Sequence, residues 1–124
     1  MTFHHFGIAC ENIGKTINLL QDDFEIKEIS EIIYDELQNC NLCLLTLNDG
    51  TIIELVSGEV VKAIIKRNIY LYHTCWSVDN IDEVFLNFSK KFSTISSLKP
   101  AKLFNNKRVC FFQSDIGIIE LLEN

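Results

Sequence analysis

The stretch FHHFGIACENI at residues 3–13 returns in altered form as LYHTCWSVDNI at residues 71–81. When His5 is placed on His73, the asparagine and isoleucine that end each stretch align without a gap. A second motif follows each copy, DGTIIELV at residues 49–56 and DIGIIELL at residues 115–122. His5 precedes Glu54 by 49 residues, and His73 precedes Glu120 by 47. A repeat this regular indicates an internal duplication.

Length and composition describe a globular chain with an acidic balance. Its 124 residues are 48% hydrophobic and 23% charged, which suits two half-sized modules that share a core. The net charge of −6 argues against nucleic acid and anionic membranes as partners, because both attract basic proteins. No apolar run is long enough to span a membrane, and no signal peptide is visible. We therefore expect a cytoplasmic location.

The cysteines indicate reduced thiols. Five is an odd number, and Cys10, Cys75 and Cys110 lie inside apolar runs, so we expect buried free thiols and no disulfide framework. Cys40 and Cys43 have the CxxC spacing of redox and zinc motifs. A second CxxC is missing and strand-like residues surround this one, which favours a structural role.

Residue periodicity predicts the order β-α-β-β-β twice. Strands are predicted at residues 3–10, 24–34, 39–47, 51–56, 70–78, 94–98, 108–113 and 117–122. Asn12 and Asn80 are predicted helix caps, and apolar residues follow each at helical spacing: Ile13, Ile17 and Leu20, then Ile81, Val84, Phe85 and Phe88. The predicted class is α+β, a single domain over residues 1–124. It comprises module one (residues 1–58), a linker (59–69) that could hold a short helix, and module two (70–124).

The two glutamates are the anomaly in this pattern. Glu54 and Glu120 each lie within an apolar strand, where an unpaired carboxylate is costly to bury. If the two copies pack with pseudo-two-fold symmetry, both glutamates can meet His5 and His73 on the inner faces. Imidazole and carboxylate ligands suit a divalent ion such as Ni, Co, Mn, Fe or Zn. The competing interpretation is structural histidines and outward-facing glutamates. His4 alternates with His5 and is predicted to be exposed.

These motifs resemble the vicinal oxygen chelate superfamily, which includes glyoxalase I, methylmalonyl-CoA epimerase, extradiol dioxygenases and bleomycin-resistance proteins. HFGIA at residues 5–9 and HTCWSVDNI at 73–81 resemble the histidine-bearing strands of the epimerases, and RVCFF at 108–112 with GIIELLE at 117–123 resembles their C-terminal hairpin. The resemblance covers nearly the whole chain. It implies a glyoxalase-like curved sheet around a metal-binding cleft, with His5, Glu54, His73 and Glu120 as ligands, and a homodimer.

The resemblance leaves the reaction open. The His/Glu/His/Glu set is more similar to bacterial glyoxalase I, whereas epimerases usually carry Gln at the second ligand position. Ala9 stands where glyoxalase I would carry a glutathione-binding arginine. Epimerases have a Glu-Gln-Gly segment that supplies a catalytic base, and here residues 35–39 read DELQN, with Glu36 as the nearest candidate.

Three functions therefore compete. The first is a metal-dependent isomerase or epimerase that removes a proton α to a carbonyl of an anionic or thioester substrate, with Glu120, Glu54 or Glu36 as the base. The second is another enzyme of the superfamily, a glyoxalase I-type lyase, a thiol transferase or a dioxygenase. The third is a small-molecule-binding protein without chemistry. A basic segment, Lys99, Lys102, Lys107 and Arg108, could bind a substrate anion or be a solvated loop.

Overall fold

A computed structural model describes residues 1–124, with nine strands and three α-helices. In chain order these are β1 (Thr2–Ala9), α1 (Ile13–Gln21), β2 (Ile26–Ile29), β3 (Ile33–Asp35), β4 (Cys40–Leu47), β5 (Ile52–Ser57), α2 (Glu59–Lys66), β6 (Leu71–Val78), α3 (Ile81–Ser89), β7 (Ser93–Ala101), β8 (Lys107–Ser114) and β9 (Gly117–Glu123). The chain forms two compact units, His5–Tyr72 and Met1–His4 with His73–Asn124. The predicted α+β class is confirmed; the boundaries predicted for modules and linker remain predictions.

The unit His5–Tyr72 is a sheet backed by α1. Its strands follow the hydrogen-bonded order β2-β4-β5-β1, with β3 paired to β4. β1 and β5 run parallel, so the chain needs the intervening elements to cross over between them. The Asp-Gly turn predicted after β4 is present, with Gly50 at φ 89° and Asp49 Oδ1 accepting the Thr51 N–H at 2.9 Å. The helix predicted within the linker is α2.

Helix α1 begins and packs as its sequence predicts. The Asn12 side chain accepts the backbone N–H of Lys15 at 2.9 Å, which satisfies one of the donors that the first turn leaves unpaired. Ile13 is buried, and Ile17 and Leu20 follow on the same face. They pack against apolar residues of the sheet, Ile8, Cys43, Leu45, Ile53 and Leu55. Burial of this stripe is what holds a short helix on the sheet.

The other unit repeats this plan. Its strands follow the order β6-β9-β8-β7, with β6 and β9 parallel. The Asn80 side-chain oxygen accepts the Glu83 backbone N–H at 3.2 Å, which caps the helix, and the Asn80 side-chain amide donates to Glu83 Oε2 at 3.3 Å. The apolar face of α3 packs around the fully buried Phe112, whose ring centroid lies 5.6 Å from that of Phe85 and 5.5 Å from that of Phe88. Trp76 packs on the same cluster.

Two strand predictions are wrong in detail. Residues 24–34 form two short strands, β2 and β3, instead of one, and both pair with β4. β7 does not end before Pro100 but continues to Ala101. Because β7 is the last strand in its sheet order, Pro100 can occupy it without removing a hydrogen bond that a second neighbour would need.

Arg108 joins three elements of its unit. Its guanidinium donates to both carboxylate oxygens of Asp82 on α3 at 2.9 Å and to Glu123 Oε1 at 2.8 Å, while its backbone N–H donates to Glu123 Oε2 at 3.0 Å. Hydrogen bonds from Arg108 are the main cause that lowers the pKa of both carboxyl groups. The clamp fixes the start of β8 to the end of β9.

None of the helices is long and apolar enough to cross a membrane.

The cluster around Phe112 gives a prediction for stability. Phe85→Ala should lower the free energy of unfolding by about 3 kcal/mol, at the lower end of the usual range because the side chain is only partly buried. Leu86 lies on the same helix with 61% of its surface exposed, so Leu86→Ala is the matched control and should change stability by less than about 0.5 kcal/mol. Urea denaturation measures both. Equal losses of stability in the two variants would mean that Phe85 does not face the sheet.

All five cysteines are free and buried, as predicted. Burial raises the pKa of Cys10 and Cys43, and burial together with the negative charge of Glu120 raises the pKa of Cys110 to about 12. A thiol remains protonated below its pKa, and the thiol form is a poor nucleophile.

We therefore expect the native protein to resist alkylation by iodoacetamide at about pH 8, and all five thiols to react once the chain is denatured. Mass spectrometry after alkylation counts the modified residues. Rapid native labelling of Cys110 would contradict its burial.

Candidate metal centre

Each unit contains one buried histidine–glutamate pair. In His5–Tyr72, the parallel register of β1 and β5 sets Gly7 opposite Glu54, and His5 lies two residues before Gly7 on the same face. His5 Nε2 lies 3.8 Å from Glu54 Oε2. His5 is completely buried and Glu54 is 4% exposed. The predicted strand alternation therefore turns this glutamate inward, away from bulk solvent.

The second unit repeats the pair with the same offset. β6 and β9 are parallel, Cys75 lies opposite Glu120, and His73 lies two residues before Cys75. His73 Nε2 lies 2.9 Å from Glu120 Oε2, and both residues are at most 2% exposed. Because histidine and glutamate stand in the same relative register in both units, the two pairs are structural equivalents as well as sequence equivalents.

The residues opposite each glutamate in its sheet are small or apolar. Glu54 is flanked in its sheet by Gly7 and Leu44, and Glu120 by Cys75 and Phe111. The Phe111 ring meets the His73 ring edge to face, with centroids 5.3 Å apart. These sheet neighbours do not solvate a carboxylate, and the imidazole beside each glutamate offsets part of the cost of its burial.

The chemistry of these side chains fits a divalent metal ion. His5, Glu54, His73 and Glu120 are a candidate ligand group, and all four are buried. Two imidazole nitrogens and two carboxylate oxygens form a mixed set that suits Ni, Co, Mn, Fe or Zn better than the all-oxygen sites of Mg or Ca. His4, predicted to be exposed, is half-buried, and its ring packs edge to face on Phe104 with centroids 5.6 Å apart.

The other predicted site residues lie in different settings. Glu36 is exposed in the turn after β3. Lys99 is half-buried on β7, Lys102 is exposed in a short 3₁₀ turn, and Lys107 is exposed at the start of β8. Arg108 is held by the carboxylates of Asp82 and Glu123, which neutralise its charge.

Two residues near these positions were not singled out from the sequence. Phe111 contacts His73, but in the sequence it is one aromatic residue in an apolar strand. Asp35 is 2% exposed, and its Oδ1 accepts the backbone N–H groups of Leu37 and Gln38 at 3.0 and 3.2 Å. It anchors the turn that carries Glu36. In the sequence it is one acid in a polar run, so no pattern marked its burial.

Comparison with known proteins shows that other solved structures have a similar fold. Three solved structures are similar: methylmalonyl-CoA epimerase from Mycobacterium tuberculosis (18% identity, TM-score 0.81, covering 98% of this chain and 87% of that one), a hypothetical protein from Bacillus halodurans C-125 (19%, 0.77, 99% and 94%), and a variant of the Streptomyces coelicolor methylmalonyl-CoA epimerase in complex with 2-nitronate-propionyl-CoA (18%, 0.75, 100% and 97%). At these identities the likeness concerns the fold.

The family assignment rests on the sequence itself. A search among curated proteins found no match. The family model of the Glyoxalase/Bleomycin resistance protein/Dioxygenase superfamily matches residues 4–111, most of the chain. The similar solved structures confirm the glyoxalase-like fold that the resemblance implies, and the chain belongs to the Glyoxalase/Bleomycin resistance protein/Dioxygenase superfamily.

Proposed function

We propose that this protein is a metal-dependent isomerase or epimerase that removes a proton from the carbon α to a carbonyl. The observation that carries the proposal is the buried histidine–glutamate pair repeated in equivalent register. His5, Glu54, His73 and Glu120 are the proposed ligands. When bound, a divalent ion would supply positive charge that stabilises negative charge developing on a substrate oxygen.

The base in this proposal is a carboxylate. Glu54 and Glu120 are candidates because each is a buried carboxylate with a histidine beside it. Glu36 is the alternative, and its exposed turn is fixed by the hydrogen bonds to Asp35. Two carboxylates on opposite sides of the substrate carbon could remove the proton from one face and return it to the other.

The proposed substrate is small and carries an anionic or thioester group. Solved proteins of similar fold are methylmalonyl-CoA epimerases, one in complex with a CoA thioester analogue. Of the four cations predicted to bind an anion, Arg108 already serves two carboxylates. The proposed anion contact therefore rests on Lys99, Lys102 and Lys107.

A glyoxalase I-type lyase is the second candidate, because the set of two histidines and two glutamates resembles that of bacterial glyoxalase I. A dioxygenase or a non-catalytic binding protein would use the same pairs without proton transfer. A homodimer and a cytoplasmic location complete the proposal.

The metal proposal predicts a gain in thermal stability on loading. Adding Ni²⁺ or Zn²⁺ to chelator-treated protein should raise Tm, because an ion that binds only the folded state stabilises it. His73→Ala and His5→Ala should each remove most of this shift. His4→Ala should keep the shift, which separates the proposed site from the other possible ligand group, His4, His5 and Cys75. A shift that survives loss of His5 and of His73 would mean that the metal binds elsewhere.

The chemical proposal predicts exchange of a substrate proton with solvent. Metal-loaded protein incubated in D₂O with 2-methylmalonyl thioesters should place deuterium on the α-carbon, measured by mass spectrometry. If Glu36 is the base, Glu36→Gln should slow exchange by roughly 10²–10⁴-fold with metal content unchanged. If Glu36→Gln exchanges the proton as fast as the unaltered protein, the base is Glu54 or Glu120 instead of Glu36.

Two further outcomes separate the alternatives. Turnover of 2-oxo hemithioacetals, with no exchange on thioesters, would favour the lyase. Substrate binding without deuterium incorporation from either class would favour the binding protein and contradict the enzymatic proposal.

A further inference from the structure

Strand β7 sets one serine in the same row of the sheet as Glu120. Ser96 of β7 lies opposite Phe111 of β8, and Phe111 lies opposite Glu120 of β9. Residues that face each other across neighbouring strands project from the same side of a sheet, so Ser96 shares the face of the second histidine–glutamate pair. Two strand spacings, about 10 Å, separate it from Glu120.

A β-bulge turns Ser96 to this face. Thr94 lies opposite Phe112, which packs against α3, and in a regular strand Ser96 would share the face of Thr94. The register instead shifts between Thr94 and Ser96, and it shifts again before Lys99. Bulges redirect side chains and are frequent next to active sites. An irregularity of β7 therefore directs Ser96 to the face that carries Glu120.

The Ser96 hydroxyl oxygen is buried and has no hydrogen-bond partner in the protein. A buried hydroxyl in this state costs free energy, and in native proteins such groups are usually satisfied by water or a ligand. The residue as a whole is only half-buried. Rotation about its Cα–Cβ bond, which has three staggered positions, can therefore carry the hydroxyl to the open side of the residue.

The other unit offers an internal comparison. Ser30 precedes Ser96 by 66 residues, the same spacing as between the two glutamates. Its backbone N–H donates at 2.9 Å to the carbonyl of Leu44, the residue opposite Glu54. Ser30 is thus the counterpart of Ser96, and its hydroxyl accepts the Leu44 backbone N–H at 2.8 Å. The hydroxyl serves the sheet in one unit and is left for a ligand in the other.

The face between Ser96 and Glu120 limits what that ligand is. Phe111 lies directly between them, and Val109 beside it on the same face is buried. Lys99 lies opposite Val109 and adds a positive charge farther along β7. A molecule that extends from Glu120 to Ser96 therefore needs an apolar middle and, at its far end, an oxygen that accepts a hydrogen bond.

We propose that Ser96 binds the far end of the substrate, with its hydroxyl donating a hydrogen bond to a carbonyl or carboxylate oxygen. This inference rests on the proposed function, because it takes the reacting end of the substrate to lie beside Glu120. The substrate is then a thioester whose thiol part passes Phe111 and carries that oxygen. Ser96 determines specificity and takes no part in proton transfer.

Three thioesters with the same methylmalonyl group test the proposal. Their thiol parts are N-acetylcysteamine with an amide carbonyl, 3-mercaptopropionate with a carboxylate, and butanethiol, which is apolar. Isothermal titration calorimetry of the metal-loaded protein measures Kd for each. Ser96→Ala should raise Kd roughly three- to tenfold if the amide carbonyl is bound, or roughly ten- to hundredfold if the carboxylate is bound. The thioester that responds identifies the group, and Kd of the butyl thioester should not change.

Two controls separate substrate binding from a structural role. Ser97→Ala removes the exposed hydroxyl of the next residue and should bind all three thioesters as the unaltered protein does. In urea denaturation, Ser96→Ala should raise the midpoint of unfolding, because it removes a buried hydroxyl that has no partner. Loss of a structural hydrogen bond would lower the midpoint instead.

The outcomes also distinguish this proposal from the proposed function. Thioester binding that weakens in Ser96→Ala, without deuterium exchange in any variant, would support the role of Ser96 and contradict the isomerase. Exchange with no change in Kd for any thioester would do the reverse, and would leave the Ser96 hydroxyl to an ordered water. An equal rise in Kd for all three thioesters, or no binding of any of them, would also overturn the proposal for Ser96.

Discussion

The free energy of burying two carboxylates is the constraint on which this structure depends. Glu54 and Glu120 lie within strands whose other residues are almost all apolar, and neither reaches bulk solvent. An isolated charge in such a place would be prohibitively costly, so a partner has to be built into the same face of the sheet. In each unit that partner is a histidine from the neighbouring parallel strand.

Parallel pairing explains why histidine and glutamate are so far apart in the sequence. A parallel neighbour cannot be reached through a tight hairpin, so a helix and further strands must separate the two strands. The chain meets this requirement twice, with a β-α-β-β-β-β segment and then a β-α-β-β-β segment, and keeps the same offset between histidine and glutamate in both. The near-equal spacing seen in the sequence is the consequence of that connection. A polar pair retained in both copies, at a cost to stability, is what a functional site would require.

The two pairs differ in their neighbours and in their internal distances. His5 and Glu54 have Gly7 beside them, whereas His73 and Glu120 have Cys75 and the ring of Phe111. The atoms of the first pair lie farther apart, at 3.8 Å, than those of the second, at 2.9 Å. The duplication therefore supplies two equivalent histidine–glutamate pairs, while the side chains around them have diverged.

Local patterns in the sequence determined the α+β class, the helix caps at Asn12 and Asn80 and the hairpin at Asp49-Gly50, because periodicity and capping depend on near neighbours. The sequence left open whether the two glutamates face inward or outward, and their burial is seen only in the folded chain. Only the tertiary structure decided that residues 24–34 divide into two strands, that β7 continues past Pro100, that Arg108 is clamped by Asp82 and Glu123, and that Asp35 and Ser57 are buried. Each of these depends on which strand or helix lies beside the residue. Contacts between residues distant in the chain leave no regular spacing in the sequence, so they appear only when the chain has folded.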